Sequence, residues 1–402
     1  MTARLATPER ASATAAILVV VRAQSEDDAP QAVGPTRVLV GLPLITRIVR
    51  AAAAAGYGEV LVHGIEADTW PVLRGTPAVP LGEPSDSARR SRARIVVLPS
   101  NVLPQPRWLQ RLREIPLDPG KVYVDDNAAI VIDSERPEAV LTLIAASTSA
   151  TALTAAMRRM YEAVALRADD TGRFRLAAGT DVPRAQRWLL RSLIKQHEGF
   201  MSRHVERPIS LALTRQLART SISPNAVTLV SIAIGLAGAP FFLSSSASYQ
   251  TAGALLFLTH SILDGCDGEL ARLKFLRSPL GAVLDFWGDN VVHVAVFAAM
   301  AIGWSLETGA TWPLVLGVMA GLGTLGSAAV MFRHTAADEA IAAGATLAAR
   351  LAGRLANRDF IYVVLLASLF GKAAWFLAVA AVGTPAFLLF ALWVDRGRVR
   401  AR

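Results

Sequence analysis

Long apolar stretches fill the second half of the chain from Ala226 onward. A bilayer core of about 30 Å requires roughly 20 helical residues, and most of these stretches reach that length. Inside a bilayer each backbone N–H and C=O must be satisfied within its own segment, so each stretch predicts a helix. The predicted membrane segments are 226–246, 249–270, 280–304, 312–332, 359–371 and 373–394. The sequence therefore predicts an all-α six-helix transmembrane domain over residues 223–402.

Basic residues occupy the loops on one side of these segments. They follow the second segment, lie between the fourth and fifth, and end the chain, whereas the loop 244–250 is uncharged. By the positive-inside rule, both termini are expected in the cytoplasm. The predicted location is the cell inner membrane, crossed several times. The formal net charge of +9 suits an anionic membrane surface or phosphorylated substrates. Basic and aromatic residues do not interleave as in RNA-binding modules, so no nucleic-acid partner is expected.

The first half of the chain predicts a different kind of domain. Residues 1–184 alternate short β-branched runs with helix-like stretches, a pattern typical of an α/β domain with a mostly parallel sheet. Residues 185–222 then form a basic segment whose leucines suggest an amphipathic juxtamembrane helix or a solvated linker helix. The predicted strands are Ile17–Val21, Glu59–His63 and Ile95–Leu98, and the predicted helices are 44–55, 106–114 and 137–147.

Four aspartates border or enter two consecutive apolar segments. Burying a charged side chain in a membrane costs free energy, so a charge at that depth indicates a functional site. Spacings of three and four residues place each pair on one helix face, so two joined helices can direct all four carboxylates toward each other. A hard divalent cation such as Mg²⁺ would remove their repulsion. Buried ion pairs with the neighbouring basic residues are the alternative. The aspartates are Asp264, Asp267, Asp285 and Asp289.

Small residues accompany the aspartates at helical spacing. Gly268, Ala271 and Gly281 have little or no side chain, so a flat ligand or a diphosphate could approach the backbone there. Cys266, the one cysteine, lies between two of the acids and is interpreted as a spacer and not as a nucleophile.

This run resembles the CDP-alcohol phosphotransferases, whose signature is D-x2-D-G-x2-A-R-x8-G-x3-D-x3-D. Every fixed position is met between Asp264 and Asp289, and Pro224-Asn225 with Thr228 resembles the P-N-x-x-T that often opens the family's first membrane helix. The resemblance extends over residues 185–402. It implies six transmembrane helices, a homodimer, and two Mg²⁺ or Mn²⁺ ions. It also implies displacement of CMP from a CDP-alcohol donor by an acceptor hydroxyl.

The resemblance also implies roles for individual residues. Asp264, Asp267 and Asp285 would hold metal on the CDP diphosphate, and Asp289 would be the general base and a further metal ligand. The positions expected to border the nucleotide are Gly268, Ala271, Arg272, Gly281, Asn225 and Thr228. A phosphorylated acceptor would need cations at the cytoplasmic surface, where Arg333 and Arg358 bracket the loop between the fourth and fifth segments. Alternatively, these two arginines serve only to orient the membrane segments, with positive charge on the cytoplasmic side, and bind no acceptor.

The N-terminal domain resembles a degenerate nucleotidyltransferase of the sugar-nucleotide and inositol-phosphate type. The segment Gly41–Ile45 matches the G-x-P-L-I region of those enzymes, and 35–37 takes the place of their Pro-Lys pair. Residues 22–29 contain no glycine where a phosphate-cradling loop belongs, and 99–101 lack the expected metal-binding aspartate. The domain is therefore predicted to bind or scaffold without catalysing, with Asp125 and Asp126 as its remaining acidic pair.

The combination of domains resembles fused inositol-phosphate cytidylyltransferase and di-inositol-phosphate-phosphate synthase proteins. That resemblance favours a polyol-phosphate acceptor or a CDP-polyol donor. Three alternatives remain open at this point. They are phosphatidyl transfer from CDP-diacylglycerol in phospholipid synthesis, a bifunctional enzyme with an active N-terminal cytidylyltransferase, and an ion-coupled transporter that uses the acids as an ion path.

Overall fold

A computed structural model describes residues 15–23, 33–82, 92–118, 120–125, 128–166, 170–194, 200–338 and 360–400. The chain divides into two compact units, Met1–Leu189 and Leu190–Arg402. The first unit is built on a β-sheet and the second on helices. The predicted division into an α/β part and a helical part is confirmed at this level.

The first unit contains a seven-stranded sheet with the strand order β7-β5-β6-β4-β1-β2-β3. All neighbouring strands are parallel except for β6, which runs antiparallel to both β4 and β5. Residues Ile17 to Val20 on the central strand are fully buried, as expected for a continuous β-branched run covered on both faces. The strands are Ala15–Val21 (β1), Glu59–His63 (β2), Ala78–Pro80 (β3), Ala93–Pro99 (β4), Lys121–Asp125 (β5), Ala129–Ser134 (β6) and Glu162–Ala165 (β7).

Five helices accompany this sheet, three of them at the predicted positions. Two small antiparallel pairs complete the unit, Val38–Leu39 with Leu42–Pro43 and Val102–Pro104 with Arg173–Arg175. The turn between the first pair places Gly41 at φ 82°, a conformation that favours glycine. The helices are Leu44–Ala54 (α1), Pro106–Glu114 (α2), Pro137–Ala145 (α3), Ala150–Met160 (α4) and Val182–Arg191 (α5).

The second unit consists of seven helices in the described ranges. Four of them, counting α7 with the 3-10 turn that extends it to Leu243, are long and apolar enough to cross a membrane. The protein is an integral membrane protein. Helix α8 is 28 residues long but carries five charged residues between Asp264 and Lys274, and α11 has only 10 residues. The helices are Arg207–Leu217 (α6), Pro224–Gly238 (α7), Ala247–Lys274 (α8), Pro279–Thr308 (α9), Trp312–Asp338 (α10), Phe360–Leu369 (α11) and Ala373–Arg400 (α12).

The predicted juxtamembrane segment forms two helices, α5 and α6, and a π-helical turn at Ser202–Glu206 precedes the second. Helix α6 packs on α8 through a polar stripe and not through its leucines. Ser210 and Thr214 are buried in that contact, whereas Leu211 and Leu213 are only half-buried. The polar face of α6 is therefore attached to α8 by hydrogen bonds from Ser210 and Thr214.

Glycines bring the membrane helices into close contact. A methyl group added to Gly238 or Gly253 would lie within 3.2 Å of the other glycine's backbone oxygen, so α7 and α8 meet backbone to backbone. Gly303 on α9 faces the carbonyl oxygens of Phe242 and Leu243, 2.5 and 2.7 Å from the position of such a methyl. Small residues at helix crossings are the usual means of association in a bilayer, where the solvent is as apolar as the side chains.

Gly303→Ala is expected to destabilise the membrane unit by about 1–3 kcal/mol, because the added methyl meets backbone atoms that cannot rotate away. Thermal unfolding of the purified protein in detergent measures this loss. Gly383→Ala on α12 is the matched control, since no heavy atom lies within 4 Å of its added methyl. A Gly303→Ala variant as stable as the Gly383→Ala variant would contradict this packing.

Candidate active site

Helices α8 and α9 bring three carboxylates to one place. Asp264 and Asp267 lie one turn apart on α8 and are buried, and Asp285 faces them from α9. One oxygen from each carboxylate lies within 4.8 Å of the other two, so the group could hold a metal ion. The sequence prediction that these two helices direct their acids toward each other is correct for these three residues.

The short connection between α8 and α9 explains why their carboxylates come together. Helix α8 ends at Phe275, whose φ of 59° reverses the chain in the left-handed region. Four residues later Pro279 opens α9, and the Ser278 hydroxyl accepts a hydrogen bond from the Gly281 N–H at 3.0 Å. Proline at the first helical position and serine as the N-cap are typical of a helix start. The first turns of α9 therefore lie beside the last turns of α8.

Asp267 has the surroundings expected of a metal ligand. The Thr228 hydroxyl on α7 donates a hydrogen bond to its Oδ2. Its Oδ1 is buried and has no hydrogen-bond partner among the described residues. A buried carboxylate oxygen without a donor is costly, and a hard cation is the partner that Asp267 and its two neighbouring carboxylates favour. These residues therefore fit a divalent metal ion.

Asp289 has a different neighbour from the other aspartates. It is not part of the group of three, and its Oδ1 lies 3.4 Å from Nε2 of His260 on α8. The other ring nitrogen, Nδ1, lies 3.0 Å from the Ser231 carbonyl oxygen, which can only accept, so Nδ1 donates there. His260 is buried at 2% exposure and was not predicted from the sequence. An ionisable residue inside an apolar segment was the available signal.

Several predicted nucleotide-binding positions lie next to this group. A methyl group added to Gly281 would lie 2.7 Å from Asn225 Oδ1, which places the amide of α7 against the start of α9. A methyl added to Gly268 would lie 3.3 Å from an Arg272 guanidinium nitrogen. Thr228, also predicted to bind the nucleotide, donates its hydroxyl hydrogen to Asp267 and so orients a carboxylate of the acidic group. Ala271 is half-buried on α8.

A second missed residue is Glu269 on α8, which is completely buried. It receives hydrogen bonds from Arg207, Ser210 and Thr214 of α6. The Cys266 thiol lies beside this contact, 3.5 Å from the Ser210 carbonyl oxygen, and is itself fully buried. The sequence signal for Glu269 was again a charge within an apolar segment.

The structure describes one of the two arginines that were predicted to bind the acceptor. Arg333 is exposed near the end of α10, and Arg358 lies outside the described residues. Phe332, the neighbour of Arg333, packs against Phe286 and Trp287 with ring centroids 5.4 and 5.8 Å apart. These two aromatic residues directly follow Asp285, so this end of α10 lies close to the acidic end of α9.

In the first unit, a cavity of about 40 Å³ lies at the carboxyl ends of β1, β4 and β5, lined by Ala23, Pro99 and Asp125 among others. Asp125 forms an ion pair with Arg173 at 2.8 Å, and its predicted companion Asp126 lies outside the described residues. Asn101 is buried and donates to the Leu176 carbonyl. Within the described part of the chain, the only acidic group able to hold a metal is that of α8 and α9.

Comparison with known proteins agrees with this site. Residues 221–394 match the family described as CDP-alcohol phosphatidyltransferase. A protein of Rubrobacter xylanophilus named "Bifunctional IPC transferase and DIPP synthase" is 34% identical over 208 residues, which are 50% of this chain and 44% of that protein. A protein of the same name from Thermococcus kodakarensis is 37% identical over 122 residues, 30% of this chain and 27% of the relative. The chain thus matches less than half the length of these relatives.

A solved phosphatidylinositol phosphate synthase of Mycobacterium tuberculosis with CDP-DAG bound has 22% identity, covering 46% of this chain and 94% of that one. Its TM-score of 0.34 is too low to establish a common fold. The family match and the acidic signature do not depend on this structural likeness. The acidic group of α8 and α9 lies inside the part of the chain, 221–394, that matches the CDP-alcohol phosphatidyltransferase family.

Asp285→Asn is expected to weaken Mn²⁺ binding by at least about tenfold, because one carboxylate of the metal-binding group is lost. Titration of the purified protein with Mn²⁺, followed by electron paramagnetic resonance of the free ion, measures this change. The matched control is Glu307→Gln, which neutralises an exposed acid at the far end of the same helix. Equal Mn²⁺ affinities in the two variants would contradict the metal site.

Proposed function

We propose that this protein is a membrane CDP-alcohol phosphotransferase. It would transfer a substituted phosphate from a CDP-alcohol to the hydroxyl of an acceptor alcohol and release CMP. The observation that carries this proposal is the convergence of Asp264, Asp267 and Asp285 within 4.8 Å, inside the matched family domain. An ion path would need no such convergence at a single point, and the family match also argues against a transporter.

The residues of α7, α8 and α9 divide the work of this reaction. The three converging aspartates, with Asp289, would hold Mg²⁺ or Mn²⁺, up to two ions. A bound metal of this kind neutralises the diphosphate and stabilises the leaving CMP. Thr228 holds Asp267 in place through its hydroxyl. The missing side chains at Gly268 and Gly281 let the Arg272 guanidinium and the Asn225 amide lie close to the backbone, where these two groups would bind the nucleotide.

Asp289 would act as the general base. As the new bond forms between phosphorus and the acceptor oxygen, the bond from phosphorus to the CMP oxygen breaks, and the acceptor proton passes to the Asp289 carboxylate. Asp289 lies one helical turn beyond Asp285, is 17% exposed at its side chain, and rests against His260. It therefore lies beside the metal-binding group and remains reachable by an acceptor.

We favour a polyol phosphate of the inositol type as acceptor or as part of the donor. The curated relatives named above and the basic end of α10 support this choice, since Arg333 could meet a phosphate at the membrane surface. Arg358 is proposed for the same task on the sequence alone.

Phosphatidyl transfer from CDP-diacylglycerol is the second candidate. It is favoured by a Mycobacterium tuberculosis relative named "CDP-diacylglycerol--serine O-phosphatidyltransferase", 30% identical over 99 residues, which are 22% of this chain and 34% of that protein. The acidic group contacts the part of the donor that both reactions share. The mass of the product formed with each donor distinguishes the two reactions.

For the membrane unit we propose six crossings, with α8 and α11 added to the four long apolar helices. Cytoplasmic termini, an inner-membrane location and a homodimer complete this proposal. Glycines of α10 bring it close to two of these helices, since Gly317 faces Ala301 of α9 and Gly323 faces Thr384 of α12. The basic loops support the orientation.

For the first unit we propose a nucleotidyltransferase-like fold without catalytic activity. Its mostly parallel sheet and the turn at Gly41 support the fold. The one described acid at its cavity, Asp125, is paired with Arg173, and the buried Asn101 stands at the end of β4 where an acid is expected. The first unit would then bind a partner protein or stabilise a dimer.

Asp289→Asn is expected to lower the turnover number for CMP release by about 10²–10⁴-fold, the usual cost of losing a general base. The assay follows labelled CMP from a CDP-alcohol, with a polyol phosphate as acceptor and saturating Mg²⁺. Glu307→Gln again serves as the control and should retain full turnover. If only the affinity for the donor falls, Asp289 is a ligand and not the base. If the wild type releases no CMP from any CDP-alcohol, the proposed function is wrong.

The full-length protein is expected to release no pyrophosphate from CTP with Mg²⁺ and a panel of polyol and sugar phosphates. Nucleotidyl transfer depends on neutralising the triphosphate, and the first unit offers no described group of acids for that purpose. Sustained pyrophosphate release that is lost in Asp125→Asn would make the protein bifunctional and overturn this assignment.

A further inference from the structure

Glu269 is the most deeply buried carboxylate near the acidic group, yet it does not belong to that group. It lies two residues after Asp267 on α8, and its side chain is 0% exposed. A buried carboxylate is tolerated only where it is paired and fully hydrogen-bonded. The function proposed above assigns it no role, so its partners are informative.

All three partners of Glu269 come from one face of α6. Arg207 donates to Oε1 at 2.5 Å, Ser210 donates to Oε1 at 2.8 Å, and Thr214 donates to Oε2 at 2.7 Å. Their spacing of three and four residues is that of a single helix stripe. The three donors attach α6 to α8 at one point, with Arg207 itself only 13% exposed.

This attachment lies on the opposite side of α8 from the metal-binding acids. At about 100° per residue, Glu269 is rotated roughly 170° from the mean direction of Asp264 and Asp267. Gly265 allows α6 to approach, because an added methyl there would lie 3.4 Å from Arg207 Nη1 and 3.8 Å from Ser210 Cβ. Helix α8 therefore presents its acids to Asp285 of α9 on one side and is held by α6 on the other.

We propose that Glu269 is a positioning residue for the metal site. The hydrogen bonds from α6 fix the rotation of α8 about its axis, so that Asp264 and Asp267 point at Asp285. The inference rests on the proposed function, because it assigns Glu269 a task in assembling that site. A purely stabilising contact would change the amount of folded protein and leave the metal affinity of the folded molecules unchanged.

The chain contains its own reporter of this contact. Cys266 is the single cysteine, is 0% exposed, and lies against the Ser210 carbonyl of α6. Release of α6 from α8 would uncover its thiol. The rate at which N-ethylmaleimide labels the purified full-length protein, followed by intact mass, therefore measures the attachment without reference to activity.

The experiment compares both readouts in four proteins besides the wild type. Glu269→Leu removes the acceptor of all three donors, and Glu269→Gln keeps an acceptor for Arg207. The double variant Ser210→Ala/Thr214→Val removes the two neutral donors and keeps the ion pair between Arg207 and Glu269. It replaces Glu269→Leu as the test variant if Glu269→Leu does not fold. Glu307→Leu is the matched control for the same substitution at an exposed site. Mn²⁺ affinity is measured by electron paramagnetic resonance on the folded fraction after size-exclusion chromatography.

Glu269→Leu should label at least about tenfold faster at Cys266 and bind Mn²⁺ at least about tenfold more weakly, the size of effect that supporting residues have on metal sites. Glu269→Gln and the double variant should fall between it and the wild type. The inference is overturned if Mn²⁺ affinity stays within about twofold of wild type in Glu269→Leu or, where that fails to fold, in the double variant. Unchanged Cys266 labelling would overturn it as well. A wild type that binds no Mn²⁺ overturns the proposed function together with this inference.

Discussion

The mutual repulsion of carboxylates in an apolar environment governs the whole membrane unit. Asp264, Asp267 and Asp285 come within 4.8 Å of one another on helices whose remaining residues are mostly apolar. Charges of one sign at that separation cannot be buried without a counter-charge. The structure meets this constraint with a reversal at Phe275 that fixes the acids to one end of two helices, and with room for a divalent cation among them. The donor's diphosphate, itself anionic, would then bind through the same cation.

Supporting contacts keep this arrangement in place. Thr228 of α7 donates to Asp267, the imidazole of His260 lies against Asp289, and α6 donates to Glu269 from the far side of α8. Thr228, His260 and Glu269 are buried and polar, so each would be destabilising without its partner. Close packing at glycines brings the backbones near enough for these side chains to meet. The site thus depends on α6 and α7 as well as on the two helices that carry the signature.

The helices and the convergence of the aspartates could be predicted from the sequence because both depend on local periodicity. Apolar length gave the positions of α7 to α12, and three- and four-residue spacing gave the shared face of Asp264 and Asp267. The partners of Glu269 and Asp289 could not be predicted in this way. Arg207 and His260 reach them from 62 and 29 residues away in the chain, and no local pattern specifies such pairs. In the first unit, Ile17–Val21 and Glu59–His63 were predicted as strands from their β-branched runs. The strand order followed only from the structure.

The claim that this acidic site transfers a substituted phosphate is tested most directly by following the two phosphorus atoms of the donor separately. A CDP-alcohol labelled at the phosphate next to its alcohol is supplied with an acceptor alcohol and Mg²⁺. We expect all of the label to appear in a new phosphodiester with the acceptor, one for each unlabelled CMP released. Recovery of the label as a free phosphoalcohol, or in the nucleotide product, would contradict it.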